Sequence, residues 1–333
     1  MERRQPTLDE VAERAGVSRS AASRVINNAP HVSKAKRDAV QQAVRDLGYV
    51  PNPTARALAT RQVGAVVLAV SGDDPSLFAD PFFASVVVGV SAVLEETELE
   101  LMLLLATSTR GHSRLEQILR SRQADGMMLM SLHGDDPLVD LARRADFPVV
   151  FGGQPLSLEP DYYVDADNRG GARLAAEHLI ASGRKRIATI TGSLDEHAGV
   201  ARFRGFQEAM ALAGLSAHRV EHGNFTEDSG GKAMDRLLAG HPDLDAVFVA
   251  NDKMAVAALR VLREHGKSVP EDVAVVGFDD LAMAPHTVPP LTTVHQPIQA
   301  LGREMARMLL TLMAGGQPTP LILPTRLIIR GST

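Results

Sequence analysis

The chain has no cysteine. That excludes disulfides and thiolate metal sites, and it fits a reducing cytoplasm. Aromatic residues are scarce, at 4% of 333 residues, so a phenylalanine pair in a loop stands out. Long apolar runs are also missing. "GAVVLAV" and "LELMLLLA" are strand-sized and too short to span a bilayer. The N-terminus, "MERRQPTLDEVAERAG", lacks the apolar stretch of a signal peptide. No G-x-G-x-x-G follows a strand-like run, and there is no P-loop and no G-x-S-x-G, so dinucleotide, nucleotide and hydrolase chemistry find no support. His218 and His222 in "HRVEH" lack the H-E-x-x-H order, and a strand there would separate them. No catalytic residue, metal or cofactor is therefore expected, and the chain is read as a non-enzyme.

What is present is unevenly charged. Residues 1–61 hold 11 Lys or Arg against 6 Asp or Glu, a surplus of five positive charges in a chain of net charge −5. The remainder is strongly acidic. A basic head on an acidic body suggests a polyanion partner for the head.

The head reads as three short helices. Thr7 and Glu10 have the spacing of a capping box, with Leu8, Val11, Ala12 and Ala15 on one face and Gly16 as the stop. Ser18 can cap "RSAASRVI", whose Ala21, Ala22, Val25 and Ile26 face inward. Only a short turn separates these helices, as in a helix-turn-helix unit. Ser33 can cap a third helix packed through Ala35, Ala39, Ala43, Val44 and Leu47, and Gly48 ends it. The second helix turns Arg19, Ser20, Ser23, Arg24 and Asn27 outward with no carboxylate among them, a set suited to a major groove.

The next segment, "NPTARALAT", has an N-cap in Asn52, a proline suited to the first helical turn in Pro53, and strong helix formers. It is two turns long, far below the roughly 12–15 residues an isolated helix needs. Folding must come from DNA and from a second copy, with Leu58 as an apolar wedge entering from the minor groove.

From residue 63 strand-like runs ("VGAVVLAV", "LELMLLLA", "DGMMLMS", "PVVF", "RIATIT", "DAVFVA", "VAVVGF") alternate with helix-like runs at 113–123, 168–183, 199–214, 228–240 and 252–266. Alternation of this kind implies parallel sheets with covered faces and ligand loops at the carboxyl ends of the strands. There are enough units for two doubly wound sheets with a cleft between them.

The stretches "TLDEVAERAGVSRSAASRVINN", "VS" and "LGYVPNPTARALAT" resemble the head of the LacI–GalR family of transcriptional repressors. "DPFF", "DNRGGARLAAEHLI", "RFRGF", "VANDKMA", "VVGFDD" and "PPLTTVHQP" resemble that family's periplasmic-binding-protein-like core. The resemblance implies that Arg19, Ser20 and Arg24 read bases. It implies that Thr7, Ser18, Ser23, Asn27, His31 and Ser33 position phosphates or turns, and that Asn52, Ala55 and Leu58 form the hinge. It implies an all-α helix-turn-helix head over 1–50, a hinge over 51–62, and an α/β core over 63–333 whose chain crosses between subdomains near 162, 290 and 322. One subdomain would then hold about 63–162 and 291–322, and the other about 163–290 and 323–333.

Phe82, Arg202, Asn251 and Asp279 fall at the cleft by the same resemblance. The set suits a neutral polyhydroxylated ligand: Asp279 accepts, Arg202 donates, Asn251 does both, and Phe82 and Phe83 are candidates for stacking on a sugar face, with core packing as the other reading of the pair. Gly153 stands where some relatives carry an acidic side chain, and Gln154 follows. "FADPFF", "SLHGDDPL" and "FGGQP" are similar to the cellobiose and β-glucoside branch. The expected partners are double-stranded operator DNA of pseudo-palindromic form, a mono- or oligosaccharide effector and a second copy of the chain, with no membrane. "RLIIRGST" carries no heptad tail for tetramers, and the apolar "FFASVVVGVSAVL" helix is a candidate for part of a dimer surface. The alternatives are a purine- or phosphorylated-metabolite-responsive repressor of the same fold, or a non-regulatory sugar-binding protein.

Overall fold

The computed structural model describes residues 6–27, 31–50, 63–71, 80–106, 109–121, 123–134 and 136–333. The hinge residues Asn52, Ala55 and Leu58 lie outside the described residues. The chain divides into two units, one holding the residues up to Gly64 and the other nearly all the rest.

The head is three helices: α1 (Leu8–Arg14), α2 (Arg19–Ile26) and α3 (Lys34–Leu47). The capping box is complete, since Thr7 Oγ1 accepts from the Glu10 amide and the Glu10 carboxylate accepts from the Thr7 amide at 2.7 Å. Ser18 caps α2 through the Ala21 amide. Gly16 and Gly48 take the left-handed conformation (φ 63° and 62°) that ends α1 and α3, as glycine does without steric penalty. Val11, Ala12, Ala22, Val25, Val40 and Ala43 form the core. Two expectations change. Ala35 is exposed and Val40 takes the central place in α3, because Val40 and Ala43 lie three apart on the face turned inward. Ser33 sits at the N-cap position, but its side chain makes no cap hydrogen bond.

The second unit contains two six-stranded sheets. The first is built from β1 (Ala65–Ser71), β2 (Glu100–Ala106), β3 (Gly126–Met130), β4 (Val149–Gly152), β5 (Tyr163–Ala166) and β11 (Leu321–Leu323), in the order β11-β5-β4-β3-β1-β2. All its pairs are parallel. The second contains β6 (Ile187–Thr191), β7 (Val220–His222), β8 (Ala246–Val249), β9 (Ala274–Asp279), β10 (Thr292–His295) and β12 (Arg326–Ile328), in the order β12-β10-β9-β8-β6-β7. Only β12 runs antiparallel to its neighbour. Strands β1, β3, β6, β8 and β9 are buried along their whole length. This burial on both faces is why β1, β3 and β8 read as nearly continuous apolar runs rather than alternating ones.

Sheet membership corrects the expected crossing points. Strand β5 belongs to the first sheet, so the chain leaves it after Ala166 and not near 162. Strand β10 belongs to the second, which moves the return past His295 rather than 290. The last crossing lies between Leu323 and Arg326, just beyond the expected 322.

Helices cover both sheets. In the first subdomain α4 (Pro81–Leu94), α5 (Thr109–Arg120), α6 (Pro137–Arg143) and α11 (Ile298–Met313) flank the strands; in the second α7 (Asn168–Ala181), α8 (His197–Leu212), α9 (Glu227–Gly240) and α10 (Asp252–Glu264) do so. Helices α4 and α11 approach at glycines: a Cβ on Gly89 would strike the Gln299 carbonyl and one on Gly302 the Val86 carbonyl. The exposed side of α4 leaves Val88 54% exposed, and the edge strand β2 leaves Leu103 40% exposed. No helix among the described residues is long and apolar enough to cross a membrane.

Candidate DNA-reading face and ligand cleft

The outward face of α2 carries Arg19, Ser20 and Arg24, all exposed. Arg19 Nε lies 3.3 Å from the Asp9 carboxylate, a contact open to solvent on both sides. Ser20 and Ser18 share a hydrogen bond at 3.1 Å. Ser23 and Asn27 are only half-exposed, and Asn27 Nδ2 donates to Ser23 Oγ at 3.3 Å. Thr7 and Ser18 spend their side-chain oxygens on helix caps. His31 is exposed and adopts φ 67°, rare for a residue with a Cβ. Arg24 is thus the long cationic donor of α2 with no ion pair among the described residues.

The second site is a cavity of about 380 Å³ between the two sheets of the core. It lies where parallel-sheet geometry places it, because its loops follow the carboxyl ends of strands. Ser131 and His133 follow β3, Gly153 and Gln154 follow β4, Glu196 follows β6, Phe225 follows β7, Asn251 and Lys253 follow β8, and Asp279 ends β9. Each residue expected at the cleft (Phe82, Gly153, Gln154, Arg202, Asn251, Asp279) lines this cavity.

Arg202 organises the floor. It is 5% exposed, donates from Nε to Asn168 Oδ1 at 2.9 Å and from Nη1 to the Ala250 carbonyl at 2.5 Å, and lies 3.3 Å from Asp279 Oδ1. Its guanidinium covers the Phe278 ring at 3.7 Å and faces Phe225 at 5.6 Å, a favourable arrangement for a desolvated cation. Gln296 Nε2 donates to the same Asp279 oxygen at 2.6 Å. Burial pushes the Asp279 carboxyl up to about 6; Arg202 pulls it down, and Asp80 across the cleft adds to the rise.

Asn251 caps α10. Its Oδ1 accepts from the Met254 amide at 2.9 Å and its Nδ2 donates to the Phe225 carbonyl at 3.0 Å. Both polar atoms are engaged, so it holds Phe225 in place besides lining the cavity. Phe82 is half-buried, and Phe83 packs edge-on against it at 5.2 Å and joins the core. Gly153 has φ 85°, and a Cβ there would meet nothing within 4 Å, so the cleft is open at the position where some relatives place an acid.

Backbone strain concentrates here. Among the described residues of the core, the non-glycine residues with positive φ are Ser131, Phe225, Asp279 and Asp280; three of them line the cavity and the fourth adjoins it. Residues held in sparsely populated backbone regions cluster at ligand clamps and active sites.

Several cleft residues were not singled out from sequence. Lys253 Nζ reaches across to Asp80 at 2.8 Å. On the lip formed by residues after β3 and β6, His133 Nδ1 lies 3.2 Å from Asp195, Ser131 Oγ donates to Glu196 at 3.4 Å, and the Gly134 amide donates to the Asp195 carbonyl at 2.7 Å. Burial raises the Glu196 carboxyl, with His133 opposing the rise. Burial also works against ionisation of Asp195, but bonds from Ser193 and His133 outweigh it and hold that carboxyl below its usual range. His133, Asp195 and Glu196 bring ligand atoms within 4.8 Å of one another, the one such group among the described residues able to hold a cation. Lys253 and Gln296 sat inside the quoted stretches "VANDKMA" and "PPLTTVHQP", yet nothing local distinguishes a cleft lysine from a helix-surface one.

Comparison with known proteins fits both sites. Residues 7–52 match the model of bacterial regulatory proteins of the lacI family, and residues 176–333 match a periplasmic binding protein-like domain. The chain is 48% identical to the HTH-type transcriptional regulator CelR of Thermobifida fusca, over 99% of both chains. It is similar to the solved transcriptional regulator CelR–cellobiose complex (46% identity, TM-score 0.79, covering 99% of this chain and 100% of that one). It is also similar to the Lac repressor dimer bound to operator and the anti-inducer ONPF (27% identity, TM-score 0.86, covering 99% of each). With a helix-turn-helix head and a two-sheet ligand core in one chain, this protein belongs to the LacI family of bacterial transcriptional regulators.

Proposed function

We propose that the protein is a homodimeric, cytoplasmic repressor of sugar-utilisation genes, released from its operator by a neutral β-glucoside of the cellobiose class. The observation that carries the ligand assignment is the composition of the cleft. Asp80, Asp165, Asp195, Glu196 and Asp279 face it, against Arg202 and Lys253 as permanent cations, and both cations are already paired with carboxylates. An anionic ligand would meet repulsion with no free guanidinium or ammonium to receive it. A hydroxyl-rich neutral ligand finds acceptors in the carboxylates and ring faces in Phe82 and Phe225. The cavity volume lies in the range of small-molecule sites, and the CelR relative was solved with cellobiose.

On the DNA side, α2 enters the major groove, with Arg19, Ser20 and Arg24 at base edges and Thr7, Ser18, Ser23, Asn27, His31 and Ser33 at phosphates or turns. Asn52, Ala55 and Leu58 act in a hinge helix that pairs with its copy and wedges the minor groove. The apolar surface at Val88 and Leu103 supports dimerisation through α4 and β2, and a symmetric dimer calls for a pseudo-palindromic site.

Titration calorimetry with cellobiose, glucose, glucose 6-phosphate and a purine base, paired with gel shift on operator DNA, tests this reading. Cellobiose should bind and release DNA. Binding confined to the phosphorylated sugar or the purine overturns it.

A further inference from the structure

Asp252 begins α10 and is completely buried. Among the described residues it pairs with no Lys, Arg or His. Its Oδ2 accepts from the Leu281 amide at 2.8 Å, and its Oδ1 meets Thr293 Oγ1 at 2.5 Å. These partners bracket the strained turn. Leu281 follows Asp279 and Asp280, which hold φ 111° and 58°. Thr293 lies on β10, directly beside Gly277 on β9. A Cβ at Gly277 would collide with Asp252 Oδ1, so the glycine reserves the space that the carboxyl group fills.

We infer that Asp252 is a positioning residue for the ligand cleft: it pins the Asp279–Asp280 turn in its left-handed backbone, so that the Asp279 carboxylate meets Arg202 and faces the ligand. The inference rests on the sugar reading of the cleft only for the choice of probe. Two consecutive non-glycine residues with positive φ persist only when their surroundings over-determine them. Here the clamps are identifiable. Asp280 is held by Arg330 at 2.6 Å and His295 at 3.0 Å, and Asp279 by Gln296 and Arg202. Asp252 holds the residue that leaves the turn and ties it to α10 and β10. Burial, with Asp279 and Asp280 nearby, raises the Asp252 carboxyl. Thr293 Oγ1 donates to the ionised carboxylate; in the neutral acid the threonine hydroxyl turns and accepts from the carboxyl O–H, while the other carboxyl oxygen accepts from Leu281. An asparagine amide can do the same, whereas alanine can do neither.

The test compares full-length wild type, Asp252→Asn and Asp252→Ala by cellobiose calorimetry and by crystal structure. Asp252→Asn should bind within about 3-fold of wild type, and Asp252→Ala about 30-fold or more weaker, the size expected when a buried donor loses its acceptor. In the Asp252→Ala crystal the Asp279 carboxylate should leave Arg202 and the turn should relax. If Asp252→Ala keeps wild-type affinity and the Asp279–Arg202 contact, the residue only supports the fold and the inference fails. If Asp252→Ala does not fold, Thr293→Val, which removes one of the two bonds, is read the same way: unchanged affinity and unchanged turn geometry overturn the inference. Should wild type bind no cellobiose, the sugar reading fails, and the turn geometry in the variant crystals alone decides the role of Asp252.

Discussion

Lys253 donates to Asp80 across the ligand cleft at 2.8 Å, joining the start of α10 in one subdomain to the N-cap of α4 in the other. Both side chains are mostly shielded, so this contact favours the observed approach of the two subdomains more than an exposed ion pair would. Lys253→Met removes it. If ligand binds this arrangement of the subdomains, affinity should fall by about 1–2 kcal/mol, roughly 5- to 30-fold. The wild-type advantage should shrink in high salt. Calorimetry at two ionic strengths checks this; equal affinities would mean that the pair is already broken in the complex.

The stability contributed by Asp252 and Asp279 should fall as pH rises through the neutral range. Burial pushes the Asp252 carboxyl up to about 8 and the Asp279 carboxyl up to about 6. At these two positions the folded state holds protons that the unfolded chain has released. Their contribution to the unfolding free energy drops as pH climbs from about 4 towards 8. Asp252→Asn cannot titrate, so its Tm relative to wild type should improve steadily across that window. A flat difference from pH 4 to 8 would mean that Asp252 is ionised in the fold.

Arg24→Ala should weaken specific operator binding by about 1–3 kcal/mol if the guanidinium reads a guanine edge. Binding to random DNA should change much less, because non-specific affinity comes from phosphates. Fluorescence anisotropy on both sequences separates the outcomes, and equal losses would reassign Arg24 to the backbone.

Leu58→Gly should lose most operator affinity yet bind cellobiose as wild type does. The hinge segment is too short to be helical alone, and its folding is expected only on DNA beside its copy. Ligand that opposes this by about 1–3 kcal/mol would weaken the operator complex roughly 5- to 150-fold. Hydrogen exchange at residues 53–59 provides the check: protection in free protein would contradict coupled folding.

How much of this was legible beforehand depends on the length of the local signal. The central strands β1, β3 and β8 were readable as apolar runs because both of their faces are buried. Strands β5, β7, β10, β11 and β12, three or four residues each, carry too few positions for a period to register. The sheet membership of β5 and β10 puts the first two crossings a few residues beyond those expected, near Ala166 and His295.

The same contrast holds for side chains. The capping box at Thr7 and Glu10, the stops at Gly16 and Gly48, and the outward Arg19 and Arg24 follow from spacings within a helical turn, and the sequence alone determined them. It also brought Phe82, Arg202, Asn251 and Asp279 together by family pattern. Tertiary structure alone decided that Asn251 is spent on a cap, that Lys253 meets Asp80 from 173 positions away, and that Asp252 holds the turn beneath Asp279. Local periodicity records which face of an element is buried. Which loop meets which across a cleft depends on strand order and crossover position, and no short window of sequence contains either.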